Sequence, residues 1–209
     1  MMEKYNYRKD PHQDIDHVFR DLLPAHGMVE RPAQVELSHQ MLDAMLNGSI
    51  ALCDAGTGIG KTYAYLVAGV VFRRYRSRAG LPNQPLLIST SSIALQGAII
   101  HDYLPFLSKV MMADGMLDSP LRAVLRKGKS HYVCDARLMK RLQTANLDRK
   151  NPLAKAALLS MRDHLDLDMA PHLSGYDRER ICVPPTCDCG KTECRYLCYL
   201  DVCASERYA

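Results

Sequence analysis

The sequence has no long hydrophobic run. Its longest apolar stretch, AYLVAGVVF at 64–72, is far shorter than the roughly 18 residues that a membrane-spanning helix needs. The first residues, MMEKYNYRKD, contain no apolar segment of the kind found in secretory signals. We therefore expect no membrane association and a cytoplasmic location, where cysteines are more often metal ligands or core residues than disulfides.

The sequence also lacks the C-x₂-C pairs that are typical of zinc ribbons, although it contains 8 cysteines. Six of them lie between 182 and 203, while Cys53 and Cys134 lie far from this group. A site with four thiolates suits either Zn²⁺ or an iron–sulfur cluster. Cys53, Cys198 and Cys203 are expected to be small core residues.

The composition is that of a folded and mildly basic protein. Apolar residues make up 47% of the chain, which is ample for a packed core, and the formal net charge is +4. Positive charge is concentrated between 122 and 141, where Asp135 is the one acidic residue. A solvated helix face is the alternative, but these cations, among them Lys127 and Lys129, suit a nucleic-acid backbone, with Tyr132 available to stack on a base.

The spacing of apolar residues predicts alternating helices and strands up to about residue 125. Short apolar runs predict strands at 49–55 (SIALCDA) and 86–90 (LLIST). Helices are predicted from Asp10 to Pro24, from RPAQ (31–34) to NG (47–48), from Lys61 to Arg74, and from the serines of SSIALQ. This order indicates an α/β fold with a parallel sheet, at 1–125. Beyond it, short helices such as the one starting at Asn151-Pro152 indicate an insertion or second domain, at 126–209.

The stretch AGTGIGKT (55–62) is typical of a phosphate-binding loop. Glycines let successive backbone N–H groups point at a phosphate, and the following helix adds its positive end. Lys61 is expected to reach the β- and γ-phosphates and Thr62 to hold Mg²⁺, so these two are the catalytic candidates. A glycine-rich turn without a ligand is the disfavoured alternative. The predicted ATP-binding positions are Ala55, Gly56, Thr57, Gly58, Ile59, Gly60, Lys61 and Thr62, with Ala55 standing where the strict pattern has glycine.

Two further polar groups accompany this loop. Arg31 and Gln34 of RPAQ are candidates for reading the adenine edge, since a carboxamide both donates and accepts hydrogen bonds. An exposed Arg and Gln at a helix start is the more common interpretation. Ser89, Thr90 and Ser91 follow the second predicted strand and are candidates for contacts with a nucleic-acid backbone, with helix capping as an equal alternative.

The order of RPAQ, DAGTGIGKT, STSSIALQ, KGKSHYVC and CRYLCYL resembles the N-terminal part of the DinG/XPD-type iron–sulfur superfamily 2 DNA helicases, most of all bacterial DinG. The resemblance implies a partial RecA-like domain that binds ATP and Mg²⁺, interrupted by a mainly helical domain with a [4Fe–4S] cluster. It also implies movement 5′→3′ on single-stranded or forked DNA, and a monomer is favoured. The implied cluster ligands are Cys134, Cys182, Cys187 and Cys194, with Cys189 as the alternative to Cys187.

The sequence lacks one catalytic motif of that family. It contains no DEAH or other Asp-Glu motif II, whose carboxylates hold Mg²⁺ and orient the attacking water. The second RecA-like domain is missing as well. We therefore expect a truncated piece of a longer helicase, which binds ATP weakly and does not unwind DNA alone. A non-catalytic phosphate-loop module with a structural zinc site is the alternative, and a small kinase is disfavoured.

Overall fold

The computed structural model describes residues 10–82, 84–147, 151–187 and 194–206. For Ser205 and Glu206 it describes the backbone only. The chain divides between Ala123 and Val124 into two compact units, and each is described by itself. None of the described helices is long and apolar enough to cross a membrane.

The described part of the first unit is helical. Its elements are α1 (Pro11–His17), a π-helical turn (Val18–Leu22), α2 (Leu23–Ala25), α3 (Pro32–Asn47), α4 (Lys61–Arg78), α5 (Ile93–Ala98), a second π-helical turn (Ile99–Tyr103) and α6 (Leu104–Ala113).

Local sequence signals set the ends of these helices. Asp10 caps α1 by accepting a hydrogen bond from the backbone N–H of His12 (2.9 Å). Gly48 ends α3 in the left-handed conformation, with φ of 61°. Ser92 caps α5 by accepting from the N–H of Leu95 (3.2 Å). The helix starts predicted at Asp10 and at the serines of SSIALQ, and the helix end predicted at NG (47–48), are therefore confirmed.

Helix α4 forms the centre of the first unit. It packs against α1 and α3, and it buries apolar side chains such as Leu66, Val67 and Val71. The Ser38 hydroxyl on α3 donates to the carbonyl of Ala64 at 3.0 Å, which fixes the two helices against each other. The nearly continuous apolar sequence at 64–72 explains this burial.

The two predicted strands are wrong for the residues that the structure describes. Segments 49–55 and 86–90 are irregular, and β pairing in the described chain consists of two isolated bridges, both in the second unit. Ile50, Leu52 and Leu87 are exposed by 93%, 98% and 85%. A parallel strand exists only where a neighbouring strand pairs with its backbone groups, and the two segments do not pair with each other. The expected RecA-like sheet is therefore not formed by these residues.

The described part of the second unit is also mainly helical. Its elements are a 3₁₀ turn (Lys129–His131), α7 (Asp135–Thr144), α8 (Pro152–Ser160), a second 3₁₀ turn (Leu167–Met169), α9 (Gly175–Ile181) and α10 (Arg195–Glu206). The Asn151 side chain accepts from the N–H of Leu153 at 2.9 Å, so the helix predicted to start here is confirmed.

Two apolar clusters hold the second unit together. The larger one contains Leu158, Met161, Leu167 and Ile181, all fully buried. The smaller one, here called the cysteine–tyrosine cluster, consists of Tyr132, Cys134, Val183, Cys194 and Tyr196. Cys134 and Cys194, the first and the last of the predicted ligands in the sequence, both lie in this smaller cluster.

Candidate nucleotide and metal sites

The glycine-rich loop has the backbone conformation that a phosphate loop needs. Gly58 and Gly60 have φ of 81° and 86°, in the left-handed region that favours glycine. Described residues other than glycine have no positive φ, so Ala55 fits where the strict pattern has glycine. Helix α4 begins at Lys61, directly after Gly60, and its positive end therefore faces the loop.

The Lys61 ammonium group lies against this loop. Its Nζ donates to the carbonyl oxygens of Ala55 (2.8 Å) and Gly56 (2.9 Å). The side chain is exposed, so a phosphate bound by the loop can reach it. The arrangement can neutralise phosphate charge next to the N-terminus of α4.

The RPAQ segment contacts the loop through side chains. Arg31 Nη1 donates to the Gly58 carbonyl (2.5 Å), and Gln34 Nε2 donates to the Gly60 carbonyl (2.6 Å). Gln34 is buried, with 3% exposure, and a Cβ placed on Gly60 would lie 2.1 Å from its Nε2. The segment therefore supports the loop. Gln34 is not an ordinary exposed residue at a helix start, because it is buried against Gly60.

The hydroxyl side chains at 89–92 fall into two groups. Thr90 has structural contacts, because its Oγ1 accepts from the N–H of Ser92 (3.2 Å) and its carbonyl accepts from Gln96 Nε2 (3.0 Å). Ser89 and Ser91 are exposed. Capping and turn bonds thus account for Thr90 and Ser92, and the two exposed serines remain available to a ligand.

The segment that carries Cys134 pairs with the segment that carries Cys182. Val133 and Cys182 form an isolated antiparallel bridge, and the Cys134 N–H donates to the Ile181 carbonyl at 2.7 Å. Arg137, one turn further along α7, donates to the Cys182 carbonyl at 2.7 Å and lies 3.7 Å from its sulfur. A guanidinium at this distance compensates negative charge on the sulfur.

Cys194, in the C-terminal part of the second unit, lies in the same apolar cluster as Cys134. Cys134 and Cys194 are 7% and 9% exposed in the cysteine–tyrosine cluster. Each directly precedes a helix, α7 for Cys134 and α10 for Cys194. The rings of Tyr196 and Tyr199 on α10 lie 5.2 and 5.4 Å from that of Tyr132. Burial raises the pKa of Tyr199, and hydrogen bonds to Cys203 and Tyr132 raise it further.

The remaining cysteines differ in their surroundings. Cys187 is half-buried, and Cys189 lies outside the described residues. Cys203 is buried as expected, whereas Cys198 is exposed, so its assignment to the core is wrong. Cys203 lies seven residues from buried Tyr196 and shares its helix face, but Cys198 lies two residues from it and does not. Cys53 is half-buried.

The sulfur donors fit a thiophilic metal or an iron–sulfur cluster in kind. Three of the four predicted ligands lie on segments that contact one another. Within the described parts of the chain, however, no three His, Cys, Asp or Glu side chains are arranged to hold a metal ion. The structure thus brings the ligand-bearing segments together without assembling a complete site from the described residues.

Relatives were found among curated proteins. The chain is 31% identical to the 3'-5' exonuclease DinG of Bacillus subtilis over 66% of its own length, and 31% identical to the ATP-dependent DNA helicase YoaA of Haemophilus influenzae over 62%. It is 30% identical to the ATP-dependent helicase DinG of Mycobacterium tuberculosis over 60%. Over the matched region this chain is therefore similar to DinG and YoaA proteins. The matched part covers 13%, 18% and 18% of the three relatives, respectively.

The resemblance that the motifs predicted is therefore confirmed for the DinG-like region. No protein-family model matches the chain, and no solved structure matches it.

The basic segment noted at 122–141 is partly neutralised within the second unit. Lys127 is almost fully buried, and its Nζ lies 2.6 Å from Asp166 Oδ2 and 2.8 Å from Asp168 Oδ2. Burial alone would raise the pKa of Asp168, but hydrogen bonds from Lys127 and Arg178 outweigh it and lower that pKa to about 2. The positive charge of Lys127 is therefore neutralised by these two carboxylates within the unit.

Other cations of the same segment remain at the surface. Lys129 is exposed, and its Nζ donates to the Pro185 carbonyl at 3.2 Å. Arg126 and Lys140 are exposed too. Arg141, by contrast, donates to the buried Asp177 carboxylate at 2.7 Å. Sequence analysis missed these carboxylate partners because they lie more than 30 residues away in the chain, and nothing local marks them.

Proposed function

We propose that this chain is the ATP-binding and iron–sulfur part of an ATP-dependent DNA helicase, and that it does not unwind DNA alone. The observation that carries the proposal is the contact of Arg31 and Gln34 with the carbonyls of Gly58 and Gly60. It brings together two motifs some 26 residues apart, which supports a single nucleotide site, in a chain similar to proteins named as ATP-dependent helicases.

In this proposal the loop residues bind the triphosphate of ATP. Backbone N–H groups of the glycine-rich loop and of the first turn of α4 face the phosphates, and Lys61 neutralises their charge. Thr62 holds Mg²⁺, and Gln34 keeps the loop in shape while its segment lies beside the adenine. The sequence contains no Asp-Glu motif II, so this chain lacks the carboxylates that orient the attacking water. Binding without appreciable hydrolysis follows.

The second unit is proposed to hold a [4Fe–4S] cluster. Cys134, Cys182 and Cys194 would be ligands, together with Cys187 or Cys189. When bound, the cluster supplies a rigid cross-link between segments that are far apart in sequence. Single-stranded or forked DNA is the proposed partner, contacted by the exposed Ser89, Ser91 and Lys129. Lys127 supports the fold of the same segment through its two carboxylate partners.

A zinc-containing, non-catalytic nucleic-acid-binding module is the second candidate. Four cysteine thiolates are a common ligand set for zinc, which favours this candidate. Both candidates use the same cysteines and the same phosphate loop, so metal content distinguishes them.

Anaerobic purification of the 209-residue chain tests the proposal. We expect a brown protein with about four irons and a similar amount of sulfide per chain. A colourless protein with about one zinc supports the second candidate instead. In parallel, a fluorescent ATP analogue with Mg²⁺ should bind the wild type at least about tenfold more tightly than Lys61→Ala. Lys109→Ala, an exposed lysine on α6, is the matched control, and equal binding by all three would contradict the nucleotide site.

A further inference from the structure

Two of the buried cysteines, Cys134 and Cys194, are followed by charged residues whose signs are opposite to each other. Asp135 comes directly after Cys134, and Arg195 comes directly after Cys194. Arg195 Nε lies 2.8 Å and its Nη2 lies 2.5 Å from Asp135 Oδ1. The first residue of α7 is thereby tied to the first residue of α10, 60 residues further along the chain.

Arg195 also binds the segment that follows α8. Its Nη1 donates to the Arg162 carbonyl at 2.9 Å, and its Nη2 donates to the Met161 carbonyl at 3.1 Å. One planar guanidinium thus joins three segments, and the side chains of Arg195 and Asp135 are only about one third exposed (35% and 33%). An ammonium group has no rigid fork and cannot reproduce this set of bonds, so the geometry depends on arginine.

We infer that the Asp135–Arg195 pair positions Cys134 and Cys194 side by side so that they can bind a metal centre together. The inference rests on the proposed function in that these two cysteines are taken as ligands. Ligands that are already held in place lose less conformational entropy when the metal binds, so metal binding is more favourable. Arg137, which donates to the Cys182 carbonyl, does the same for the third ligand-bearing segment.

A purely structural ion pair is the competing explanation. A partly exposed pair of this kind contributes little to stability, and its loss would leave the two thiols as they are. A positioning pair has a different consequence, since its loss separates the two cysteines specifically. Thiol accessibility and iron content therefore discriminate between the two, whereas stability alone does not.

The test uses the whole chain with Arg195→Lys, Asp135→Asn and the double substitution. The first measurement is metal-free: the rate of iodoacetamide alkylation at Cys134 and Cys194, resolved by peptide mass spectrometry. We expect both rates to rise several-fold in each single variant, and the double variant to add little, because the same pair is already broken. The second measurement is iron per chain after anaerobic reconstitution with ferrous iron and sulfide, which should fall by half or more.

Arg180→Lys is the matched control, because that guanidinium lies in the same unit, 4.3 Å from the Tyr176 ring centre, and has no role in the pair. Unchanged alkylation and iron content in Arg195→Lys would overturn the inference, and so would an equal change in Arg180→Lys. Unchanged alkylation in the milder Asp135→Asn variant would also overturn it, even if Arg195→Lys failed to fold. If the wild type takes up no iron but the variants alkylate faster, the cluster is refuted while the positioning of the thiols stands.

Discussion

Gln34 and Gly60 show how one residue depends on another in this protein. Gly60 needs its left-handed backbone to start α4, and the Gln34 amide fills the space where a side chain would begin. Two independent constraints therefore select glycine at this position, one from the backbone and one from a neighbouring side chain. Ala55 experiences neither constraint, which explains why the loop tolerates alanine there.

We predict that Gly60→Ala destabilises the protein by about 1–3 kcal/mol from backbone strain, and by more from the clash with Gln34. It should also abolish binding of a fluorescent ATP analogue. Gly80→Ala is the control, because Gly80 has φ of 68° but open space around it, so only the strain is present. The free energy of unfolding in urea measures both. Equal losses for the two variants would show that Gln34 does not occupy this space.

Asp168 makes a pH-dependent contribution to stability. Its pKa in the folded protein is about 2, below the ordinary value of 3.8, because Lys127 and Arg178 favour the charged form over the opposing effect of burial. A carboxyl with a depressed folded pKa stabilises the protein above its unfolded pKa, and this stabilisation is lost as the pH falls from about 4 towards 2.

We therefore predict that Asp168→Asn lowers the free energy of unfolding by about 1–3 kcal/mol at pH 7. The difference from the wild type should shrink as the pH falls from about 4 towards 2, since the wild-type carboxyl then becomes neutral as well. Urea unfolding across this pH range measures it. Asp163→Asn, at an exposed carboxylate in the same unit, should change little, and a difference for Asp168→Asn that stayed constant with pH would contradict the assignment.

At the scale of elements, helices and strands differ in how far local sequence determines them. The capping residues Asp10, Ser92 and Asn151 act within three residues of themselves, so the helices that they start could be predicted. The runs at 49–55 and 86–90 have strand-like sequences but require a partner strand for their backbone groups. Apolar patterning alone could not reveal that this partner is absent from the described residues.

The irregular form of 49–55 has a measurable consequence. Leu52 is 98% exposed, so Leu52→Ser should change the free energy of unfolding by less than about 0.5 kcal/mol. Leu66→Ala on α4 is the buried comparison and should cost about 2–5 kcal/mol. Urea titrations of both variants check this. A loss for Leu52→Ser as large as that for Leu66→Ala would mean that the segment is packed as the buried strand that its sequence suggests.

At the scale of the whole molecule, the chain spans less than one fifth of each of the three relatives described above. Their names also differ, since one is named as an exonuclease and two are named as helicases. Identity over this region therefore supports a similarity to DinG and YoaA proteins rather than any one of their named reactions.

We predict that the 209-residue chain binds an ATP analogue but neither hydrolyses ATP appreciably nor unwinds DNA. The physical reason is that motif II is absent, which removes the carboxylates for Mg²⁺ and water. Phosphate release and separation of a labelled forked duplex are the measurements, with the DinG helicase of Mycobacterium tuberculosis as the positive control. ATP-dependent strand separation by this chain at a rate near that of the control would contradict the prediction.

The sequence by itself determined the helix ends, the burial of α4, the glycine-rich loop and the DinG-like resemblance. Each of these depends on residues close together in the chain, or on a motif order that can be read directly. Tertiary structure decided which charges are used internally, as when Asp166, 39 residues away, pairs with Lys127. It also decided that Cys134 and Cys194 share one buried cluster. Pairing across long loops depends on packing of the whole unit, so no local pattern could have specified it.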